Sequence, residues 1–351
     1  MTSALDLDRA AATELLATVL RTTRRRDRRR RVGVLTVLGV AGIGLLMASV
    51  AFGGSVTIPL PDISAALVGR GDPQTRFIVL DKRLPRAAVA LLVGALLGLS
   101  GVIYQRLIGN PLATPDIIGI TAGAGVGAVG VVVVGGAGLA VSGGAILGAT
   151  TAAGLVFVLS WRGGSATYRL VLVGIGVGAC CAAMTSYLLT FADAMQTSRA
   201  LRWLIGSLSA VTGGDVLPLV GALVIGGALV VALTPDLDAI GLGDGPAAGL
   251  GARVNLVRIC VVLLGAVLAA VATAAAGPIG FVALVAGPIA ARLLPTAGPM
   301  PAALVGAVVV AAADLIAQAA PVISPVPTGV ITGLVGAPVL IYLLISKGVR
   351  R

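Results

Sequence analysis

Residues 21–31 read Arg21-Thr-Thr-Arg-Arg-Arg-Asp-Arg-Arg-Arg-Arg31, and residues 33–53 follow as Gly33-Val-Leu-Thr-Val-Leu-Gly-Val-Ala-Gly-Ile-Gly-Leu-Leu-Met-Ala-Ser-Val-Ala-Phe-Gly53. Eight arginines therefore stand directly before an apolar run without a single charge. A helix of about 20 apolar residues crosses the hydrocarbon core of a bilayer. The arginine cluster could suggest nucleic acid, but its position argues for membrane. Basic residues flanking a first span hold that end in the cytoplasm, where anionic lipid attracts them. The run is too long for a signal-peptide core, and no cleavage site follows it.

Working outward, similar runs recur near 87–107, 117–138, 140–160, 170–191, 214–233, 257–276, 279–294, 302–320 and 329–346. The 351 residues are 58% hydrophobic and only 11% charged, with a mean hydropathy of +1.07. Soluble domains carry about 25% charged residues, so a water-facing surface could not be covered. The expected fold is an all-α integral membrane protein of about ten transmembrane helices, with residues 1–31 a basic cytoplasmic tail and 32–351 the membrane domain. An even number of spans puts the closing Arg350 and Arg351 on the same side as the tail, as positive-inside orientation requires. The connections near 108–116, 161–169, 234–256 and 295–301 then face inward. One segment runs against this pattern: Arg70, Arg76, Lys82, Arg83 and Arg86 fall on the outer side.

Small residues refine the picture, because membrane helices associate through close backbone packing. Gly94, Gly98 and Gly101 share one region of a helix, and Gly123/Gly127, Gly144/Gly148 and Gly174/Gly178 are spaced four apart. Together they predict a tight bundle. Cys180, Cys181 and Cys260 read as small buried packing residues without metal-ligand spacing. There is no histidine, which excludes histidine metal ligands, proton relays and Ser-His-Asp catalysis.

Lys82 and Lys347 are the lysines of this chain and neither stands in G-x-x-x-x-G-K-[ST], so ATP is not held here by a P-loop. Glu14 is the sole glutamate, and no acidic pair shares a membrane site. An ion-coupled secondary transporter is the alternative class, and it needs ionisable groups within the membrane. Asp314 is the one interior candidate. A mid-membrane aspartate costs about 2.5–3.5 kcal/mol on insertion scales, so Asp314 requires a partner or a route to water.

The longest inner connection, 234–256, holds Asp236, Asp238 and Asp244, and its glycines divide it into two expected short helical pieces. A solvated loop would not need Leu237, Ile240, Leu242 and Leu250. A surface that docks on another protein would.

Several segments, in order, carry a family resemblance: Arg83-Leu-Pro-Arg86, Leu91-Leu-Val-Gly-Ala-Leu-Leu-Gly-Leu-Ser-Gly101, Gly109-Asn-Pro-Leu-Ala-Thr-Pro-Asp-Ile-Ile-Gly-Ile-Thr-Ala-Gly-Ala124, Tyr168-Arg-Leu-Val-Leu-Val-Gly-Ile-Gly176, Ala200-Leu-Arg-Trp-Leu-Ile-Gly-Ser-Leu208, Gly277-Pro-Ile-Gly-Phe-Val282 and Gly329-Val-Ile-Thr-Gly-Leu-Val-Gly-Ala-Pro338. From about residue 32 to the end the chain resembles the FecCD-type permeases, the membrane subunits of importers for iron-siderophores, haem and vitamin B12. The Tyr168 and Trp203 segments look most like actinobacterial ferric-siderophore members. The resemblance implies a type II ABC importer architecture, with ten spans in each of two paired permeases that form a homodimer or heterodimer. It also implies ATPase subunits that carry ATP and Mg, an extracytoplasmic siderophore-binding protein, residence in the plasma membrane, and no cofactor or metal on this chain.

By position, the resemblance assigns ATPase coupling to Asp238, Leu242, Gly243, Asp244, Leu250 and Gly251. It makes Asn110, Pro111, Gly277 and Pro278 pathway or packing candidates. It gives Arg83 and Arg86 to binding-protein docking. On that reading, reversing both arginines to glutamate would weaken docking and leave membrane insertion unchanged. The chain departs from the family at Gly287-Pro288-Ile289-Ala290-Ala291, where Pro-His-Ile-Ala-Arg is common; at Gln318, where many members carry arginine; and at Pro325, where glutamate is common. No role is carried over to these positions.

Overall fold

Apolar runs of this length have no water to bond their peptide groups, so each must close its hydrogen bonds internally as a helix. The computed structural model describes residues 2–54, 57–160, 166–294, 298–319 and 326–348, with side chains described from residue 26 except at 166–167, 343–344 and 346–348. Among the described residues it is helical throughout, without a strand.

The first helix, α1 (Thr2–Phe52), is continuous through the arginine cluster, so no break in secondary structure marks the expected boundary at residue 31. Two short helices follow, α2 (Leu60–Leu67) and α3 (Pro73–Arg76). A π-helical segment, Phe77–Arg83, then leads without interruption into α4 (Leu84–Ile108). Asp72 starts this column by accepting from the amides of Gln74 and Thr75, with Pro73 at the first helical position. The charged connection 70–86 is thus largely helix.

Then come α5 (Ile120–Val133), α6 (Leu139–Ser160), α7 (Ala166–Leu189) and α8 (Ala194–Ile205). A 3-10 turn, Gly213–Asp215, precedes α9 (Val216–Ile240), and α10 is the six-residue Asp244–Gly249. The chain closes with α11 (Val254–Ala276), α12 (Val282–Leu293), α13 (Pro299–Ala319) and α14 (Thr328–Gly348). Each of the ten apolar runs coincides with one helix. Among the described residues seven helices are long and apolar enough to cross a membrane, and α5, α12 and the apolar part of α14 are shorter.

At the centre lies α4, the most enclosed of the long spans, packed on α13, α11, α9 and α12. The expected glycine contacts are what bring the backbones together. A Cβ on Gly94 would collide with the Gly306 carbonyl of α13, and one on Gly101 with the Ala283 carbonyl of α12. Gly123 and Gly127 meet Gly148 and Gly144 between α5 and α6, and Gly174 and Gly178 lie against Ile118 and Gly119. Outer faces are apolar instead: Val37, Val40, Leu217, Val224, Ile225 and Tyr342 are all exposed, as a surface toward lipid permits.

Two expectations need correction. The run expected near 214–233 continues as helix into the expected loop: α9 runs through Pro235 to Ile240. Burial of Leu237 and Ile240 at 2% and 7% exposure holds the extension to the bundle, and Thr234 Oγ1 donates to the Val230 carbonyl beside the proline. The segment therefore holds the end of α9 and one separate short helix, α10, where two short pieces were expected. Cys180 is exposed on α7 and carries no packing role there, while Cys181 and Cys260 are half-buried.

Candidate functional site

Polar side chains gather at the two ends of α4. At its start, the π-helical segment and Pro85 fix where Arg83 and Arg86 leave the backbone. Arg83 turns inward and is only 7% exposed. Its Nη1 donates to the carbonyls of Val50 at 2.9 Å and Ala51 at 3.0 Å. These belong to the last turn of α1, where carbonyls lack helical partners and a cation is favoured. The expectation of Arg83 as an exposed outer cation is not met.

Arg86 has a different partner. Its Nε donates to Asp314 Oδ2 at 3.0 Å and its Nη2 to Oδ1 at 2.9 Å, a bidentate ion pair between α4 and α13. The Asp314 side chain is 1% exposed and that of Arg86 20%. Gln318 Nε2 donates to Oδ2 at 2.7 Å and Thr328 Oγ1 to Oδ1 at 2.8 Å. Gln318 also donates to Ser49 Oγ of α1 at 3.3 Å. The partner that Asp314 required is therefore present, and the cluster joins α1, α4, α13 and α14. The departure at Gln318 supplies a neutral donor to this carboxylate. Arg83, Arg86 and Gln318 line a cavity of about 270 Å³ together with Lys82, Ser209 and Val211.

Three of the quoted motifs converge nearby. Gly277 ends α11 with φ 70°, and a Cβ there would strike the Trp203 carbonyl. Pro278 lies against Gly206, and the Gly329 amide donates to the Gly206 carbonyl at 3.0 Å. Phe281, at φ 67°, opens α12 and packs where a Cβ on Gly336 would sit. Gly277 and Pro278 thus pack the junction of α8, α11 and α14.

At the other end of α4, Gly109 takes a left-handed cap at φ 67°. Asn110 Oδ1 then accepts from the Leu112 amide at 2.9 Å. Asn110 and Pro111 are exposed turn residues, held by a side-chain turn instead of by packing. Arg106 Nη1 meets Asp238 Oδ1 at 3.0 Å, and Arg258 Nη2 meets Asp244 Oδ1 at 2.8 Å. Gly243, at φ 106°, lets the chain turn from α9 into α10, and Gly251 leaves it at φ 88°.

This geometry sorts the four apolar residues of 234–256. Leu237 and Ile240 are buried against the bundle, whereas Leu242 and Leu250 are 67% and 71% exposed on either side of α10. The sequence reading missed Arg106 and Arg258, whose partners lie 132 and 14 residues away. It also missed Gln105, which donates to the carbonyls of Ala283 and Leu284. A Cβ on Gly287 would meet the Gln105 Oε1 atom, the far end of a flexible side chain. Pro325 lies outside the described residues. Among the described residues no three His, Cys, Asp or Glu side chains come together to hold a metal ion.

A family profile described as the FecCD transport family matches residues 40–346. The chain is 38% identical over 248 residues to the ferric enterobactin transport system permease protein FepG of Escherichia coli (strain K12), covering 70% of this chain and 74% of that one. It is 33% identical over 323 residues to the Fe(3+)-citrate import system permease protein YfmE of Bacillus subtilis (strain 168), covering 90% and 96%. A solved structure of a metal-chelate type ABC transporter in an inward-facing conformation matches with a TM-score of 0.81 at 25% identity, over 90% of this chain and 99% of that one. With a profile spanning most of its length and relatives matched over most of theirs, this multi-pass membrane protein belongs to the FecCD transport family.

Proposed function

We propose that this chain is the membrane-spanning permease subunit of an ATP-driven importer for ferric chelates, siderophores among them. The observation that carries this reading is the presentation of α10. A short helix packed on the bundle through Ala247 is flanked by exposed Leu242 and Leu250, in a chain whose relatives are permeases of ferric enterobactin and Fe(3+)-citrate systems. Leucines left in water at the end of a membrane bundle suit a groove on a soluble partner. That partner is an ABC ATPase subunit, which supplies the nucleotide site and holds ATP and Mg.

A second permease subunit, the same chain or another, completes the pathway, and both termini lie in the cytoplasm at the plasma membrane. For the outer end we propose that acidic groups of a binding protein meet the rim of the Lys82–Arg86 cavity. Lys82 is exposed there, while Arg83 is engaged by α1 and orients the rim. Transport follows as alternating access: ATP-driven closure of the ATPases displaces α10, and the bundle opens its pathway to one side or the other.

A secondary carrier is disfavoured by the same geometry. Asp314 accepts from Arg86, Gln318 and Thr328, a saturated environment unsuited to taking up and releasing an ion. The test is reconstitution with candidate ATPases, a binding protein and, where needed, a second permease, followed by uptake of radio-iron as ferric chelate. ATP-dependent uptake supports the reading. Uptake driven by a proton gradient without any ATPase overturns it.

A further inference from the structure

The body of α4 and its Arg106 end are held by bonds of different kinds. In the body, buried side chains donate to main-chain carbonyls of neighbouring helices. Ser100 Oγ reaches Gly265 O at 2.7 Å, Tyr104 Oη reaches Val262 O at 2.7 Å, and Gln105 Nε2 reaches Leu284 O at 3.1 Å. Ser100 and Tyr104 are fully buried, so breaking either bond strands a polar atom away from water. With the glycine contacts to α12 and α13, these bonds make α4, α11, α12 and α13 one block.

The α9–α10 unit is attached to that block differently. Leu237, Ile240 and Ala247 bury apolar surface, and such contact is non-directional, so it survives a small slide. The directional ties are ion pairs in contact with water, Arg106–Asp238 and Arg258–Asp244, whose aspartates are 64% and 60% exposed. An exposed pair is weak and loses its geometry over an ångström or two. Such pairs carry a displacement of α10 to α4 until they part, while the buried bonds of the block hold throughout.

We propose that Arg106–Asp238 is a breakable strut that holds the α9–α10 unit in register with α4, so that displacement of α10 by a bound ATPase reaches the transport block through this pair. The inference rests on the coupling role proposed above for residues 234–256. Arg106 is a positioning residue: it acts through Asp238 on the loop. Its place suits transmission, because the same rigid helix carries Arg86 about 30 Å away at 1.5 Å per residue, where the Asp314 pair fixes α4 to α13.

The test uses the full complex in liposomes and reads ATP hydrolysed per ferric chelate imported. Arg106→Glu and Asp238→Arg should each raise that ratio roughly three-fold, the scale an exposed ion pair supports. In Arg106→Glu, ATPase copurification and the KM for ATP should stay unchanged. The exchange variant, Arg106→Glu with Asp238→Arg, should return the ratio to the wild-type value, and high salt should raise the wild-type ratio toward that of the single variants. Should Arg106→Glu fail to insert, Arg106→Gln carries the same expectation. An unchanged ratio in the single variants, or an exchange variant as poorly coupled as they are, overturns the strut. A wild-type complex without ATP-dependent uptake overturns instead the coupling reading on which the strut rests.

Discussion

Replacing Arg86 alone should harm the fold nearly as much as removing the whole Arg86–Asp314 pair. Asp314 is 1% exposed and receives Arg86 bonds at 2.9, 3.0 and 3.3 Å, one from Gln318 and one from Thr328. Arg86→Ala strips the cation and leaves a carboxylate inside the bundle facing two neutral donors. Breaking a buried pair in this way costs about 3–5 kcal/mol. A fifth of the Arg86 side chain is exposed and water can enter its place, which sets the expected loss near the lower figure. Asp314→Leu strands the Gln318 and Thr328 donors and removes the counter-charge of Arg86, for about 2–3 kcal/mol.

The double variant, Arg86→Ala with Asp314→Leu, strands only the two neutral donors. It should therefore cost about 2–3 kcal/mol less than the sum of the single variants. Thermal or denaturant unfolding of the three proteins in detergent measures that coupling. Additivity within about 0.5 kcal/mol would refute the reasoning. The same geometry revises the expectation that charge reversal at both arginines spares insertion. Arg86→Glu would set a second carboxylate beside Asp314, and Arg83→Glu would aim one at the carbonyls of Val50 and Ala51. Lys82→Glu, at an exposed residue, tests docking without touching either set of bonds.

Gly94→Val should abolish folded protein in detergent gel filtration, because its Cβ would meet the α13 backbone, whereas Gly221→Ala, with open space around it, should be silent; equal yields of the two would discredit the glycine-packing account. Leu242→Glu and Leu250→Glu should each cut ATPase copurification at least ten-fold, a loss of about 1.4 kcal/mol in binding, with the bundle still monodisperse; retained copurification would show that α10 is not the docking surface. In a cysteine-free background, which exposed Cys180 makes necessary, Gly245→Cys should label only after the membrane is opened and Thr75→Cys in intact cells. Labelling of residue 245 from outside would rule out the proposed orientation.

The helices and their packing were legible because both rest on local patterns. An apolar run of 20 residues and two glycines four apart each specify a property of one helix face, and the face then finds its partner without further instruction. Gly123 and Gly127 needed only an equally small surface, and α6 presents one at Gly144 and Gly148. The extension of α9 through Pro235 was not legible, because the apolar run stops near residue 233 and the continuation rests on burial of Leu237 and Ile240. Departures were legible as oddities but not as contacts: Gly287 lies beside Gln105, and no local rule connects the two.

The polar sites show why pairing is hard to read from one sequence. Two anomalies stood out separately: cations on the side that positive-inside orientation disfavours, and an aspartate inside a membrane helix. Arg86 and Asp314 lie 228 residues apart, and each is the other's explanation. The opposite end has the same form but signalled nothing, because Arg106 and Asp238 sit where charges are ordinary. The difference is solvation. A buried charge is expensive and so advertises that a partner must exist, whereas an exposed one is cheap and keeps its partner hidden. It follows that the Arg86 end, legible as an anomaly, holds the bundle together, and that the Arg106 end, silent in the sequence, is weak enough to be broken and remade in each transport cycle.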